Sequence, residues 1–274
     1  MDLNTITEVA RPQTRAQLPI WMAGDAWLAG GTWLFSEPQD HLTRLIDLND
    51  LKWPALDVGA TDLTIAATCT VAQLDAWPCP PEWIASPLIN QCCRAFLASF
   101  KIWKTATVGG NLCMSLPAGP MIALTAALDG VCTIWKAGGS EQRARDADFV
   151  IGNQQNLHAS GDLLRQIDIP LAALKRRSAF RQISLTPMGR SAALLIGSVD
   201  HQGAFVLTVT ASTIRPIQLS FPAIPAADEL REAIAQRIPD ALYHTDVHGK
   251  PAWRKHMTFR LAQEIRAELS GAQP

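Results

Sequence analysis

Short apolar runs, separated by glycine, proline and polar residues, divide the chain into three parts. In the first part, a short helical pattern at residues 14–18 precedes strand-like runs at residues 27–29 and 44–48. The pattern restarts near Trp53-Pro54, because a new strand-like run follows that proline. Residues 1–54 are therefore predicted to form a small first subdomain of strands and helix.

The second part, residues 55–175, has the pattern of another mixed subdomain. Thr70 is a favourable N-cap for the helical spacing that follows it, and Gly130 ends a later helical run. The predicted helices are residues 71–77, 87–100 and 121–128, and the predicted strands are residues 63–67 and 131–135.

The third part, residues 176–274, changes to longer strand-like runs followed by helices. The predicted strands are residues 191–199, 204–211 and 213–221, and the predicted helices are residues 226–237 and 253–269. This order is typical of a smaller lobe of antiparallel sheet with C-terminal helices, so the chain as a whole is assigned to the α+β class.

Two glycine pairs are the most informative local feature. One lies in Ala29-Gly30-Gly31-Thr32-Trp33-Leu34 and the other in Ala106-Thr107-Val108-Gly109-Gly110-Asn111, each after an apolar run that is typical of a strand. Glycine lets a backbone approach a phosphate oxygen closely, and polar side chains beside each pair add hydrogen-bonding groups. Two matched segments predict one diphosphate held from two sides. Tight turns without a ligand are the alternative for either pair alone.

Charge and cysteine content narrow the class of protein. The chain has 24 basic and 25 acidic side chains and no basic cluster, which argues against binding to nucleic acid or an anionic membrane. The uncharged stretch between Lys104 and Asp129 contains several glycines and prolines, so no membrane span is predicted. The N-terminal stretch also lacks the apolar core of a secretory signal, so a cytoplasmic location is predicted. Six cysteines without a C-x-x-C pair predict reduced thiols and no metal site. Any redox centre is then expected to be organic.

Other candidate chemistry is weaker. The glycine segments match neither the Rossmann pattern G-x-G-x-x-G nor the P-loop, and no nucleophile motif is present, so no catalytic side chain is predicted. His244, Asp246 and His248 favour a solvated loop over a metal site because Gly249-Lys250-Pro251 follows them. Trp33 and Trp103 lie beside the glycine pairs, where an indole could cover a planar cofactor, although core packing is favoured for both.

Together these segments resemble the FAD-binding medium subunit of the molybdenum hydroxylases, the group of carbon monoxide dehydrogenase and xanthine dehydrogenase. Residues 29–34 match the family's A-G-G-T signature, and residues 106–111 match A-T-[IV]-G-G-N. Residues 65–70 and 162–170 are similar to its I-G-A-x-x-T segment and to its strand E-[IL]-L-x-x-[IV]-x-[IV]-P. Further similarity at residues 178–182 and 252–261 extends the match over nearly the whole chain.

The resemblance implies a two-part α/β FAD-binding unit of the PCMH-like type, followed by a smaller α+β lobe. It also implies that the glycine segments wrap the FAD pyrophosphate, that Leu164 packs near the cofactor and that Arg181 takes the place of a lysine beside it. The residues implied in FAD binding are Leu28, Ala29, Gly30, Gly31, Thr32, Trp33, Leu34, Thr68, Thr70, Ala106, Thr107, Val108, Gly109, Gly110, Asn111, Leu164 and Arg181.

The family role implies partners and leaves alternatives. A medium subunit accepts electrons from a small [2Fe–2S] subunit, passes them to an external acceptor, and assembles with a large molybdopterin subunit. The family commonly has an acid nine residues after the loop asparagine, where this chain has Pro120, and often Arg-Asn where it has Trp103-Lys104. The alternatives are therefore an assembly subunit that has lost FAD and a stand-alone flavin oxidoreductase.

Overall fold

Three larger sheets, one in each part of the chain, organise the protein, for which a computed structural model describes residues 3–271. The first is parallel, in the order β1-β3-β2. Its strands are β1 (Glu8–Ala10), β2 (Asp25–Leu28) and β3 (Arg44–Asp47). The predicted strands are thus confirmed, whereas the predicted helix at residues 14–18 is a single 3-10 turn, Arg15–Gln17.

The second sheet has five strands in the order β4-β5-β10-β6-β7, and every neighbouring pair is antiparallel. Its strands are β4 (Leu56–Val58), β5 (Asp62–Ala66), β6 (Val131–Trp135), β7 (Glu141–Arg145) and β10 (Leu163–Pro170). A small hairpin of β8 (Val150–Gly152) and β9 (Gln155–Asn156) lies between β7 and β10 in the chain.

Helices cover one face of this second sheet and enclose the largest apolar core. They are α1 (Val71–Asp75), α2 (Pro87–Ala95), α3 (Phe100–Trp103), α4 (Val108–Met114), α5 (Pro120–Ala127), α6 (Asp146–Phe149) and α7 (Leu171–Leu174). The helix predicted over residues 87–100 is divided, because the backbone leaves the helical region at Phe96. The carbonyl of Phe96 instead accepts the indole N–H of Trp103 at 3.0 Å.

The third sheet is antiparallel, in the order β11-β12-β13-β14, and two longer helices follow it. Its elements are β11 (Arg177–Ile183), β12 (Ala193–Val199), β13 (Phe205–Thr210), β14 (Ile217–Phe221), α8 (Ala227–Arg237) and α9 (Pro251–Ser270). Along β12, Leu195 packs into the core with α9, whereas Leu194 and Ile196 pack into the core of the second part. The sheet is therefore buried on both faces.

The first part docks onto the second through a small apolar cluster that includes Leu48, Leu51 and Leu163. The indole N–H of Trp27 donates to the carbonyl of Asp162 at 2.9 Å across this contact. These contacts hold β2 beside the loops of the second part. No helix within residues 3–271 combines the length and the apolar character that crossing a lipid bilayer requires.

Candidate binding site at the glycine segments

Three segments meet where the first part contacts the second. We call residues 28–34 the first glycine segment, residues 66–70 the middle turn and residues 105–111 the second glycine segment. A Cβ atom on Gly30 would lie 1.7 Å from the carbonyl oxygen of Thr105, so only glycine allows this approach. A Cβ atom on Gly109 would lie 2.5 Å from the Cβ of Ala67. The two glycine pairs therefore belong to one site.

The first glycine segment is open to a ligand. It leaves the end of β2, and Gly31 has a φ of 68°, a left-handed conformation that favours glycine. Among residues 3–271, no acceptor is hydrogen-bonded to any of the six backbone N–H groups of Ala29 to Leu34. These residues are partly buried, and a run of unpaired N–H groups forms a favourable environment for an anion.

The second glycine segment differs, because the N–H groups of residues 108–111 already have partners. Gly109 donates to the carbonyl of Ala67 at 3.0 Å, and Gly110 donates to the hydroxyl of Thr107 at 3.0 Å. The amides of Val108 and Asn111 are likewise bonded, to the carbonyls of Cys69 and Thr107. Within residues 3–271, the N–H groups from Ala29 to Leu34 are thus unpaired, whereas those from Val108 to Asn111 are bonded inside the protein.

The setting of the second glycine pair also corrects the sequence expectation. Gly109 and Gly110 do not follow a strand but lie in the first turn of α4, for which Thr107 is the N-cap. The chain before them is helix α3 and a single β-bridge between Thr107 and Thr70. Apolar content alone does not separate a short helix from a strand, which is why the sequence pattern misled here.

The two threonines of the middle turn have different roles. Thr70 caps α1, because its hydroxyl accepts the N–H of Gln73 at 3.1 Å while the Gln73 side chain accepts the N–H of Thr70. Thr68 has no hydrogen bond from its amide or its hydroxyl in the described part of the chain, and it is partly buried. Thr68 is therefore the residue of this turn that retains donors.

Asn111 and Pro120 define the end of the site. The side-chain oxygen of Asn111 accepts the N–H of Met121 at 3.1 Å, whereas its Nδ2 has no partner within residues 3–271. Pro120 is buried as the first residue of α5, a position where a missing N–H and a fixed φ are tolerated. The proline thus fits the helix, but it provides no carboxylate for a ligand hydroxyl.

The apolar candidates divide between the core and the site. The side chains of Ala106, Val108 and Leu164 are buried in the large core, and Leu164 is paired with Ile134 on β6. Trp103 also packs against this core. Leu28, Trp33 and Leu34, in contrast, are only partly buried in the first glycine segment. In the described part of the chain, the Trp33 indole has neither a hydrogen-bond partner nor a ring contact.

Arg181 is not brought to the glycine segments. It lies on β11, where its guanidinium contacts Glu264 at 3.2 Å and Glu268 at 2.7 Å on α9. Its strand neighbour Ala179 and its cross-strand partner Leu195 belong to the core around α8 and α9. Arg181 therefore lies on the sheet face that packs against α9, and sequence similarity alone could not give that orientation.

Thiols and histidines provide no charged group to the site. Burial raises the pKa of Cys69, which lies in the middle turn, and of Cys113 to about 12, so both thiols are neutral at pH 7. Residues 3–271 contain no group of three side chains placed to hold a metal ion. Asp246 is instead engaged by Arg254 and by the N–H of His248, which makes its loop a structural element.

Sequence reasoning did not single out Arg165. Its guanidinium lies 4.2 Å above the ring of Trp53, and its Nη1 atom is buried without a hydrogen-bond partner in the described part of the chain. Burial lowers the pKa of this group from its usual value. An arginine within a mainly apolar strand was the only available signal.

Comparisons with known proteins agree with this geometry. Residues 6–172 match the family model described as the FAD binding domain in molybdopterin dehydrogenase. Reconstituted CO dehydrogenase from Oligotropha carboxidovorans is similar in fold, with 20% identity, a TM-score of 0.81 and coverage of 97% of this chain and 99% of that one. Quinoline 2-oxidoreductase from Pseudomonas putida 86 has 18% identity and a TM-score of 0.77, and 98% of each chain is covered.

A third solved structure, carbon monoxide dehydrogenase from Hydrogenophaga pseudoflava, has 17% identity and a TM-score of 0.75, covering 95% of this chain and 96% of that one. At these identities the likeness establishes a shared fold. No curated protein sequence is significantly similar to this chain.

Proposed function

Because the chain belongs to the family of FAD-binding domains of molybdopterin dehydrogenases, we propose that it is the electron-transfer subunit of a molybdenum hydroxylase. In such a complex it would take electrons from a [2Fe–2S] subunit and pass them to an external acceptor. The observation that carries this proposal is the run of unpaired N–H groups from Ala29 to Leu34, packed directly against the second glycine segment. The residues present fit a dinucleotide phosphate at this point.

The pyrophosphate of FAD would be held mainly by the first glycine segment. Its amides offer several donors to phosphate oxygens, and the hydroxyls of Thr32 and Thr68 add two more that have no partner among residues 3–271. Gly30 and Gly31 keep this backbone free of side chains. The second glycine segment would form the opposite wall, with the Nδ2 of Asn111 as its free donor.

The chain itself needs no nucleophile or general acid for this role. FAD, when bound, supplies the redox chemistry, and the protein supplies binding, orientation and protection from water. The neutral thiols of Cys69 and Cys113 are consistent with that division. The iron–sulfur cluster and the molybdopterin would then be carried by a small and a large partner subunit.

The cofactor test is the spectrum of the purified chain before and after addition of FAD. The proposal expects flavin absorbance at close to one FAD per chain, and quenching of flavin or tryptophan fluorescence on titration. A matched control is Gly30→Ala, in which the new Cβ would collide with the Thr105 carbonyl. A colourless wild-type protein that binds no added FAD would contradict FAD binding and would favour an assembly subunit, for which the missing carboxylate at Pro120 is the supporting observation.

The partner test is co-purification at native expression level. Recovery with a cysteine-rich iron–sulfur chain and a large molybdenum-containing chain is the expected result. A solitary flavoprotein that turns over substrate without these chains would contradict the subunit role and support a stand-alone flavin oxidoreductase.

A further inference from the structure

Arg165, whose side chain has no hydrogen-bond partner within residues 3–271, lies at the contact between the first two parts of the chain. We call the rings of Trp27, Trp53 and Trp135, with the side chain of Leu163, the tryptophan seam. Trp53 and Trp135 meet edge to face with ring centroids 5.6 Å apart. The guanidinium of Arg165 lies 4.2 Å from the Trp53 ring and 5.9 Å from the Trp135 ring. Two indoles therefore flank one cation.

The environment of Arg165 is unusual when compared with that of Arg15 on the same seam. Arg15 also lies over Trp135, at 4.4 Å, but it is paired with Glu141 at 2.6 Å and donates to the carbonyl of Gly139 at 2.9 Å. Arg165 donates no side-chain hydrogen bond to any residue in the described part of the chain, and its Nη1 is buried. A buried donor without a partner is costly, so a ligand that supplies acceptors would be bound favourably.

No acid in the surroundings of Arg165 is free to neutralise it. Asp168 is the carboxylate whose charge acts on it, and that carboxylate is already bonded to Arg143 at 3.0 Å, to Thr64 at 2.9 Å and to Gln166 at 2.7 Å. The guanidinium therefore retains its positive charge and its donors for an anion that comes from outside the chain.

The backbone ties Arg165 to the candidate site. Its carbonyl accepts the N–H of Ala67 at 3.1 Å, and Ala67 is the residue against which Gly109 packs. Ala29, the first of the six unpaired amides, packs against the same apolar cluster as Trp53. Residues 28–34, 66–70 and 105–111 contain no lysine or arginine, so the glycine segments themselves provide no full positive charge for a dianion.

We propose that Arg165 binds a phosphate group of the dinucleotide held at the glycine segments. This inference rests on the proposed function, to which it adds the positive charge of the site. The guanidinium lies over the Trp53 ring, and its N–H groups have no hydrogen-bond partner within residues 3–271, so phosphate oxygens would supply the acceptors that they lack. Contact of the first part with the second through the tryptophan seam would thereby also position Arg165 for the ligand.

The test measures how much the phosphates of a ligand contribute to binding. Affinities of the full chain for ADP and for adenosine are measured by calorimetry for the wild type, for Arg165→Gln and for the control Arg15→Gln. The wild type is expected to prefer ADP, and Arg165→Gln is expected to reduce the ratio of the two affinities by about 10- to 100-fold. Arg15→Gln should leave this ratio unchanged, because Arg15 has its own acid.

The outcomes separate ligand binding from a purely structural clamp. If Arg165 serves only to stack on Trp53, Arg165→Gln will weaken adenosine and ADP equally, and the proposal is overturned. If Arg165→Gln does not fold, Arg165→Lys keeps the charge without the planar fork, and the ratio is then expected to fall by about 10-fold. An unchanged ratio in a folded Arg165→Lys protein would overturn the proposal as well.

This calorimetry, read together with the FAD titration of the wild type, distinguishes this inference from the proposed function. A wild-type chain that binds FAD, with variants that keep the ADP to adenosine ratio, refutes only the role of Arg165. A wild-type chain that binds no FAD refutes the cofactor assignment. In that case, binding of inorganic pyrophosphate is measured for both variants. Binding that is lost in Arg165→Gln and kept in Arg15→Gln would still support Arg165 as a phosphate-binding residue. Equal pyrophosphate binding by the two variants would refute that role.

Discussion

The two glycine segments are alike in sequence and unlike in structure. In the first, the amides from Ala29 to Leu34 have no partner within residues 3–271, and Gly31 has a positive φ. In the second, the amides from Val108 to Asn111 are all bonded inside the protein, and the glycines begin a helix. The first segment leaves its backbone donors unpaired within residues 3–271, and the second uses its donors in packing.

The difference teaches that glycine serves two separate physical needs at this site. Gly31 is required by a backbone conformation, whereas Gly30 and Gly109 are required because another backbone lies where a side chain would be. A motif of paired glycines is compatible with either need. Four predictions can therefore break or sharpen the comparison, beginning with the largest expected effect.

Gly30→Ala should have the largest effect on FAD binding. The new Cβ would lie 1.7 Å from the carbonyl oxygen of Thr105, so the first segment must move away from the second. We expect a loss of FAD affinity of at least about 100-fold in fluorescence titration. The control is Gly110→Ala, where the nearest atom is the hydroxyl of its own N-cap Thr107 at 2.9 Å. The comparison is refuted if Gly110→Ala is the more damaging change.

Gly109→Ala should affect the stability of the protein more than its affinity for FAD. Its Cβ would lie 2.5 Å from the Cβ of Ala67 and 2.7 Å from the Cα and the carbonyl oxygen of that residue. None of these atoms can rotate away. The expected cost is about 1–3 kcal/mol in the free energy of unfolding, measured by urea titration without FAD. Unchanged stability combined with lost FAD binding would indicate that the second pair contacts the ligand directly.

Substitutions of Thr32 and Thr107 should separate an effect on FAD affinity from an effect on the stability of the protein. Thr32→Val removes a hydroxyl that has no partner among residues 3–271, and we expect about 10-fold weaker FAD binding with an unchanged melting temperature. Thr107→Val removes the cap of α4 and should cost about 1 kcal/mol of stability, with a smaller change in affinity. Identical behaviour of the two variants in calorimetry and thermal melting would contradict the assignment.

The smallest effects are expected for the two tryptophans. Trp33→Phe should change the quenching of protein fluorescence by FAD and weaken binding a few-fold, because this indole has no hydrogen bond or ring contact in the described part of the chain that holds it elsewhere. Trp103→Phe removes the hydrogen bond to the Phe96 carbonyl and should instead lower the melting temperature. Equal FAD titrations for Trp33→Phe and wild type would remove Trp33 from the site.

Much of the fold could be predicted from the apolar pattern and the turn residues. Strands β2, β3, β5, β6, β12 and β13 and helices α8 and α9 lie where periodicity placed them, within a few residues, because their apolar faces are regular. The end of α2 at Ala95 could not be predicted from the apolar pattern. The backbone leaves the helical region at Phe96, and the carbonyl of Phe96 accepts the indole N–H of Trp103. Helix α4 was missed because two glycines and short length hide a helical pattern.

The candidate site was only partly predictable. Both glycine pairs and Thr32 follow from local sequence, and Thr68 from the family resemblance; the structure brings the two glycine segments and the middle turn into contact. Arg181 was expected beside the cofactor, but it is paired with Glu264 and Glu268 on α9. Arg165 was not expected at all, because the absence of a partner is a property of the surroundings and not of the residue type.

The sequence by itself determined most of the strands, the two C-terminal helices, the family and the positions of the two glycine pairs, because these depend on local pattern and on similarity. Tertiary structure alone decided which amides remain free within residues 3–271, on which sheet face Arg181 lies and that the buried Nη1 of Arg165 has no hydrogen-bond partner there. Each of these depends on groups distant in the chain, such as Ala67 for Gly109 and Trp53 for Arg165. Local patterns carry no information about such partners, which are chosen only when the separate parts pack together.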